Sequence, residues 1–197
     1  APADFDWTTA YGLFLRGEQS LRIKDYAAAE RDLRAALAKE TNFAPALDRL
    51  ASLLLRRGRD AEARPLAARA LSIDAYDPEA NYVDGLAAMA ADDDATARER
   101  LGLAAFSPLF RSAAFVKLAK LEMRHGDWNA AARAAERSLL ANALNLDARL
   151  VRIVCARRSG HADVAARLAV AALDDLPLFH GARYEATRTG APGAFLR

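Results

Sequence analysis

At 197 residues, with 53% apolar and 27% charged residues, the chain can bury a sizeable core and is too apolar for disorder. Its formal charge is only +2 and its basic residues are dispersed, which argues against nucleic acid as a partner, and no apolar run of about eighteen residues exists to insert into a membrane. The single cysteine, Cys155, excludes an internal disulfide, and His125, His161 and His180 show no ligand spacing with cysteine or carboxylates, so neither a structural metal nor a cofactor is expected.

Residues 1–9 read as a lead-in. Ala1-Pro2-Ala3-Asp4-Phe5-Asp6-Trp7 lacks the basic-then-apolar order of a secretory signal, and a cytoplasmic location is favoured. From residue 10 the chain repeats itself. Turn-like stretches begin at Lys24, Gly58, Asp92, Gly126 and Gly160, each 34 residues after the last. A few residues into each following segment stands an alanine (Ala29, Ala63, Ala97, Ala131, Ala165), and seven residues later another small residue (Ala36, Ala70, Ala104, Ser138, Ala172). Ahead of each turn, Gly17, Ala51, Gly85, Ala119 and Ile153 recur in phase, four of the five again small.

Small residues at fixed spacing let two antiparallel helices approach closely, while apolar residues at helical spacing, such as Leu47, Leu50 and Leu54, fill the seam. One such hairpin cannot bury its outer face, and stacking the next one does. The expected organisation is five hairpins, 10–43, 44–77, 78–111, 112–145 and 146–179, in an all-α, right-handed α-solenoid. Pro65 conflicts with the interior of a helix, so a helix start near Asp60, capped by that residue, is expected. His180 to Thr187 continue the phase through Ala182 and Tyr184, and Thr189-Gly190-Ala191-Pro192-Gly193 then stops it, making 180–197 a partial sixth helix or cap followed by a tail.

This pattern resembles the tetratricopeptide repeat family from Ala10 to His180, most closely in the fourth unit, with Phe115, Leu118, Ala119, Gly126, Asp127, Trp128, Ala131 and Leu139. The family's closing proline survives only as Pro177, and its second-helix aromatic is replaced by Leu33, Ala67, Leu101, Ala135 and Ala169. The stretches Ile73 to Tyr82 and Ser107 to Phe115 also resemble the C-terminal repeat arrays of large bacterial proteins with an N-terminal β-rich domain, which are linked to carbohydrate metabolism. On that resemblance the chain is a fragment.

The family resemblance implies a groove lined by the first helices, where a protein or peptide segment binds. Carried over residue by residue, the groove positions are Tyr11, Phe14, Glu18, Leu21 and Arg22, then Asp48, Ser52, Leu55 and Arg56, then Tyr82, Leu86 and Met89. The fourth unit contributes Val116, Lys120, Met123 and Arg124, and the fifth Leu150, Val154, Arg157 and Arg158. The row Arg22, Arg56, Arg124 and Arg158, interrupted at Ala90, suits an acidic partner, but a cation in the last turn of a helix also offsets the helix dipole, and both readings stay open. Met89 and Met123 serve either as adaptable contacts or as core. The family's clamp for chaperone C-termini is absent, since Phe14, Glu18, Arg49, Glu79 and Val83 stand at its positions.

Catalysis is not expected. Cys155 falls where a first helix packs inward, His125 and His161 lie at a helix end and in a turn, and Asp92, Asp93 and Asp94 are better explained as helix caps than as a calcium loop. Two binding classes remain: recruitment of a peptide or protein through the groove, and self-association into a homo-oligomer or docking against another domain. Phe179, Tyr184 and Phe195 are the residues expected to decide whether the last hairpin is covered or adhesive.

Overall fold

The computed structural model describes residues 5–190. Residues 1–4 and 191–197, and with them the expected stop at Pro192 and Gly193 and the cover offered by Phe195, lie outside the described residues. Eleven α-helices and no strand occur among the described residues: α1 (Ala10–Arg22), α2 (Tyr26–Lys39), α3 (Ala44–Arg56), α4 (Asp60–Ile73), α5 (Pro78–Ala90), α6 (Asp94–Ala104), α7 (Arg111–Arg124), α8 (Trp128–Ala141), α9 (Leu146–Arg158), α10 (Ala162–Asp175) and α11 (His180–Arg188). They fall into two compact bodies, Ala1–Ala104 and Ala105–Arg197. Within each body consecutive helices pair as hairpins, and α3 also packs beside α5, α7 beside α9, and α9 beside α11.

The tight turns have one chemistry. Lys24, Gly58, Asp92, Gly126 and Gly160 all have positive φ, between 56° and 84°. In each, the next residue's N–H reaches back to a carbonyl five residues earlier, as from Asp25 to Ser20 at 2.9 Å and from Arg59 to Leu54 at 2.9 Å. This bond pattern satisfies the orphan carbonyls at the helix end and requires one left-handed residue, for which glycine carries no Cβ penalty. Lys24 and Asp92 hold that conformation as strained non-glycines. Lys24→Gly is therefore expected to raise stability by about 0.5–1 kcal/mol in urea unfolding.

Side-chain caps follow both these tight turns and the longer connections between hairpins. Asp25, Asp77, Asp127 and Asn145 each accept from the N–H three residues on, at 3.0, 2.7, 2.8 and 3.1 Å, and Asp93 does so from Thr96 at 3.2 Å ahead of α6. Asp60, expected from the sequence to cap α4, does not cap it. The turn at Gly58 puts Arg59 at the cap position, without a side-chain cap bond, and Asp60 inside the first turn, where its charge suits the dipole. Pro65 is then the sixth helical residue, beyond the first turn, and leaves the Ala61 carbonyl without its helical donor. Both residues are exposed, so water replaces that bond.

The core is built on alanine. Ala29, Ala63, Ala97, Ala131 and Ala165 are fully buried, and so are Ala36, Ala104 and Ser138. Serine is tolerated there because its hydroxyl donates to the Ser112 carbonyl at 2.8 Å and Asn145 Nδ2 lies 3.2 Å from its oxygen. Where the two helices of a hairpin touch, residue sizes compensate. A Cβ on Gly17 would lie 2.9 Å from Leu33 Cγ, and one on Gly85 would lie 2.8 Å from Leu101 Cγ. The equivalent pairs are Ala51 with Ala67, Ala119 with Ala135, and Ile153 with Ala169, all buried. Glycine thus faces leucine, alanine faces alanine, and the one large first-helix residue faces alanine.

Ahead of α1 the chain folds over the first helix. Thr9 Oγ1 donates to the Asp6 carbonyl at 2.9 Å while accepting from Gly12 N at 3.0 Å. A Cβ at Gly12 would meet the Asp6 carbonyl oxygen and Trp7 Cα at 2.7 Å. Phe5 packs edge-on against Trp7 and Tyr11, with centroids 4.8 and 6.3 Å apart. No helix among the described residues is long and apolar enough to cross a membrane.

Candidate functional site

In the N-terminal body the groove positions fall on α1, α3 and α5. Tyr11 and Phe14 stack with centroids 6.3 Å apart, and Phe14 meets Phe43 edge-on at 5.5 Å. Tyr11, Arg22 and Arg56 are exposed, whereas Glu18, Ser52, Leu86 and Met89 are half-buried. Phe14, Leu21 and Leu55 lean on the hydrophobic core. Tyr82 is half-buried too, and burial raises its phenol above the ordinary range.

A polar ladder crosses this face, joining the groove positions Glu18 and Ser52 to Arg49 and Glu79, which the groove pattern did not include. Arg49, on α3, holds Glu79 of α5 with Nη1 at 2.9 and 2.7 Å from the two carboxylate oxygens, and its Nε lies 3.0 Å from Glu18 Oε1 on α1. Ser52 Oγ donates to Glu79 at 2.7 Å. In the sequence, Arg49 and Glu79 stand out only as departures from a chaperone clamp. Their spacing of 30 residues, four short of the repeat, was the available signal, since it brings a position on one first helix against an earlier position on the next.

Asp48 stands apart from this ladder. It is 8% exposed, and its Oδ1 has no hydrogen-bond partner. Burial pushes its carboxyl up to about 7, and the negative charges of Asp77, Glu79 and Asp74 add to that effect while Arg49 opposes it. Carboxyl groups therefore outnumber cations in the middle of this face, where Arg49 is held by Glu18 and Glu79, and Arg22 and Arg56 occupy the last turns of α1 and α3.

In the C-terminal body the corresponding positions lie on α7 and α9. Val116 does not face solvent there. It is 4% exposed and packs with Ala119, Val151 and Cys155, because α9 covers that side of α7. Met123 is half-buried against the same core. Lys120 pairs with Asp147, and Arg157 with the buried Glu185 of α11. Arg158 lies over the Trp128 ring, 4.8 Å from its centroid. Leu150 and Val154 are half-buried, and a Cβ on Gly181 would come 2.9 Å from Leu150 Cδ2, so α11 closes on α9 at that point. Arg124 and Arg158 are exposed in the last turns of α7 and α9.

A second surface feature belongs to the helix-connecting edge of this body, where Phe106, Leu109, Leu140, Leu144 and Leu178 are each more than 70% exposed. Phe179 packs into the last core cluster, while Tyr184 remains exposed. Cys155 is 1% exposed, and burial pushes its thiol up to about 11, so it is protonated at neutral pH and is not poised as a nucleophile. Among the described residues, no group of three or more His, Cys, Asp or Glu side chains is placed to hold a metal ion.

No family model and no curated protein matches this sequence. Solved structures do match. A tetratricopeptide repeat protein from Parabacteroides merdae is 17% identical, with a TM-score of 0.74 over 91% of this chain and 72% of that one. PilW, described as a widely conserved type IV pilus biogenesis factor, is 20% identical, with a TM-score of 0.77 over 89% and 81%. YrrB, described as a tetratricopeptide protein with an unusual peptide-binding site, is 20% identical, with a TM-score of 0.66 over 83% and 87%. At these identities the likeness is one of fold.

Proposed function

We propose, on the premise of the tetratricopeptide solenoid fold that the chain adopts, that it is a scaffold holding an extended or helical polypeptide segment along the exposed face of its first helices. The carrying observation is the face of α1, α3 and α5, where exposed or half-buried aromatic and apolar side chains (Tyr11, Phe14, Tyr82, Leu86) surround a strip of polar groups. That combination gives anchors together with hydrogen-bonding register, which is how grooves recognise peptides. The buried, protonated thiol of Cys155 and the capping roles of Asp93 and Asp127 account for the reactive-looking residues without catalysis. YrrB's described peptide-binding site is a parallel on the same fold.

Peptides selected by display against the purified chain test this reading. Tyr11→Ala and Leu86→Asp should each weaken a selected peptide by about tenfold or more, the loss expected of one anchor, at nearly unchanged melting temperature. Arg167→Ala, on the exposed side of α10, should leave affinity unchanged. Equal binding by all variants would remove the groove from consideration.

The exposed apolar edge of the C-terminal body supports a second reading, self-association or docking against another domain. Sedimentation equilibrium should then show a dimer for the wild type and a monomer for Leu140→Asp/Leu144→Asp. A wild-type monomer at all accessible concentrations would exclude self-association.

A further inference from the structure

The sequence alone left two readings of the arginine row, an acidic partner or helix-dipole capping. The middle of the groove face in the N-terminal body has the opposite character. Asp48 occupies the place on α3 that Phe14 occupies on α1 and Tyr82 on α5, so an acid interrupts an aromatic row. The residue is more than nine-tenths buried, its Oδ1 has no partner, and it feels the negative charges of Asp77, Glu79 and Asp74. The charged groups that bear on it from α3, the α4–α5 connection and α5 are these three acids and one cation, Arg49. That cation is already committed, with two bonds to Glu79 and a close approach to Glu18.

A buried carboxyl without a donor carries a desolvation cost that a well-packed fold removes or uses. Here the group sits on a first helix at a groove position and not among the alanines of the core, and aromatic residues hold the equivalent positions on α1 and α5. A recessed carboxylate without a donor is the environment that a guanidinium or ammonium fits, through a charge-assisted hydrogen bond. We propose that the N-terminal body takes a cationic side chain of its bound polypeptide, with Asp48 as the counter-charge and Glu79 and Asp77 supplying the surrounding negative field. This rests on the peptide-scaffold reading and adds what the partner must carry.

The probe is a set of acetylated, amidated nonapeptides of alternating leucine and serine, with arginine, citrulline or glutamate at the centre, titrated calorimetrically into the full chain. Citrulline keeps the shape of arginine and removes its charge. Wild type should bind the arginine peptide at least about tenfold more tightly than the citrulline peptide at pH 8, the value of one charge-assisted bond, and the glutamate peptide weakest. Between pH 6 and pH 8 the arginine preference should grow by roughly tenfold, because Asp48 must be ionised to pair and its carboxyl titrates near 7. Asp48→Asn should abolish both the preference and its pH dependence while still binding the citrulline peptide. Peptides that bind but show no arginine preference, or a preference that survives Asp48→Asn, would overturn this inference alone. Failure of every peptide, and of every display-selected sequence, would overturn the scaffold reading with it.

Discussion

Asp48→Asn should stabilise the chain at pH 8 by about 2–4 kcal/mol in urea unfolding and leave its stability nearly unchanged at pH 4. The sign follows from the direction of the shift. Asp48's carboxyl is raised to about 7 in the folded chain against an ordinary value of 3.8, first by burial and then by Asp77, Glu79 and Asp74. Below the ordinary value both folded and unfolded chains carry the proton, and Asp48 costs nothing. As pH rises through the window from about 4 to about 7, the unfolded chain ionises freely while the folded one resists, so stability is lost until the folded group ionises as well. Asparagine has nearly the same shape and cannot ionise, so it removes the penalty where the penalty exists. Other sites in this chain work the opposite way. Glu30 is raised by burial, but Arg34 and Arg59 outweigh that and hold it below the ordinary range, so its contribution is lost as pH falls. A variant that gains stability at pH 8 and loses the arginine preference would show that the same carboxyl destabilises the fold and confers recognition. A variant no more stable than wild type at pH 8 would mean that Asp48 already has a donor in solution.

What the sequence disclosed, and what it did not, divides along a physical line. Ala29 and its periodic counterparts were legible because close helix approach tolerates few residue types, so the constraint writes itself into the chain at every repeat. The left-handed turn was legible at Gly58, Gly126 and Gly160, and phase alone identified Lys24 and Asp92. Following that phase strictly would have put the α4 cap at Arg59 and not at Asp60, since the other capping aspartates Asp25, Asp93 and Asp127 share that position. The groove was legible only as positions. Whether a side chain there is open or covered depends on the neighbouring helix, which is why Val116 lies under α9 while Lys120, one turn on, reaches Asp147. The charge of the face stayed open for a related reason. Arg22 and Arg56 are conspicuous in the chain but end at helix termini, while Arg49, which looks equally basic, is neutralised by Glu18 and Glu79. Ion pairs between successive first helices leave a trace only in the repeat phase, not in any local stretch of sequence.

The size compensation inside the hairpins leads to the sharpest prediction about the fold itself. Gly85→Ile should destabilise by about 3 kcal/mol or more, because its Cβ alone would lie 2.8 Å from Leu101 Cγ and 3.1 Å from the Leu101 backbone nitrogen, leaving the added branches no space. Leu101→Ala should cost about 2–5 kcal/mol by opening a cavity at a fully buried site. Independent effects would sum to unfolding. The last complete hairpin already pairs Ile153 with Ala169 at these positions, both buried. Gly85→Ile/Leu101→Ala should therefore be more stable than either single variant, since the incoming isoleucine fills the space the leucine vacates, with a favourable coupling of about 3 kcal/mol. Urea unfolding of the four proteins gives the coupling directly. Additive losses would mean that the helix backbones in this hairpin are spaced for glycine and leucine in particular. A rescued double variant would mean that either helix of a hairpin can supply the bulky side chain at its contact, which is how five units can share one architecture with an aromatic position filled only by leucine or alanine.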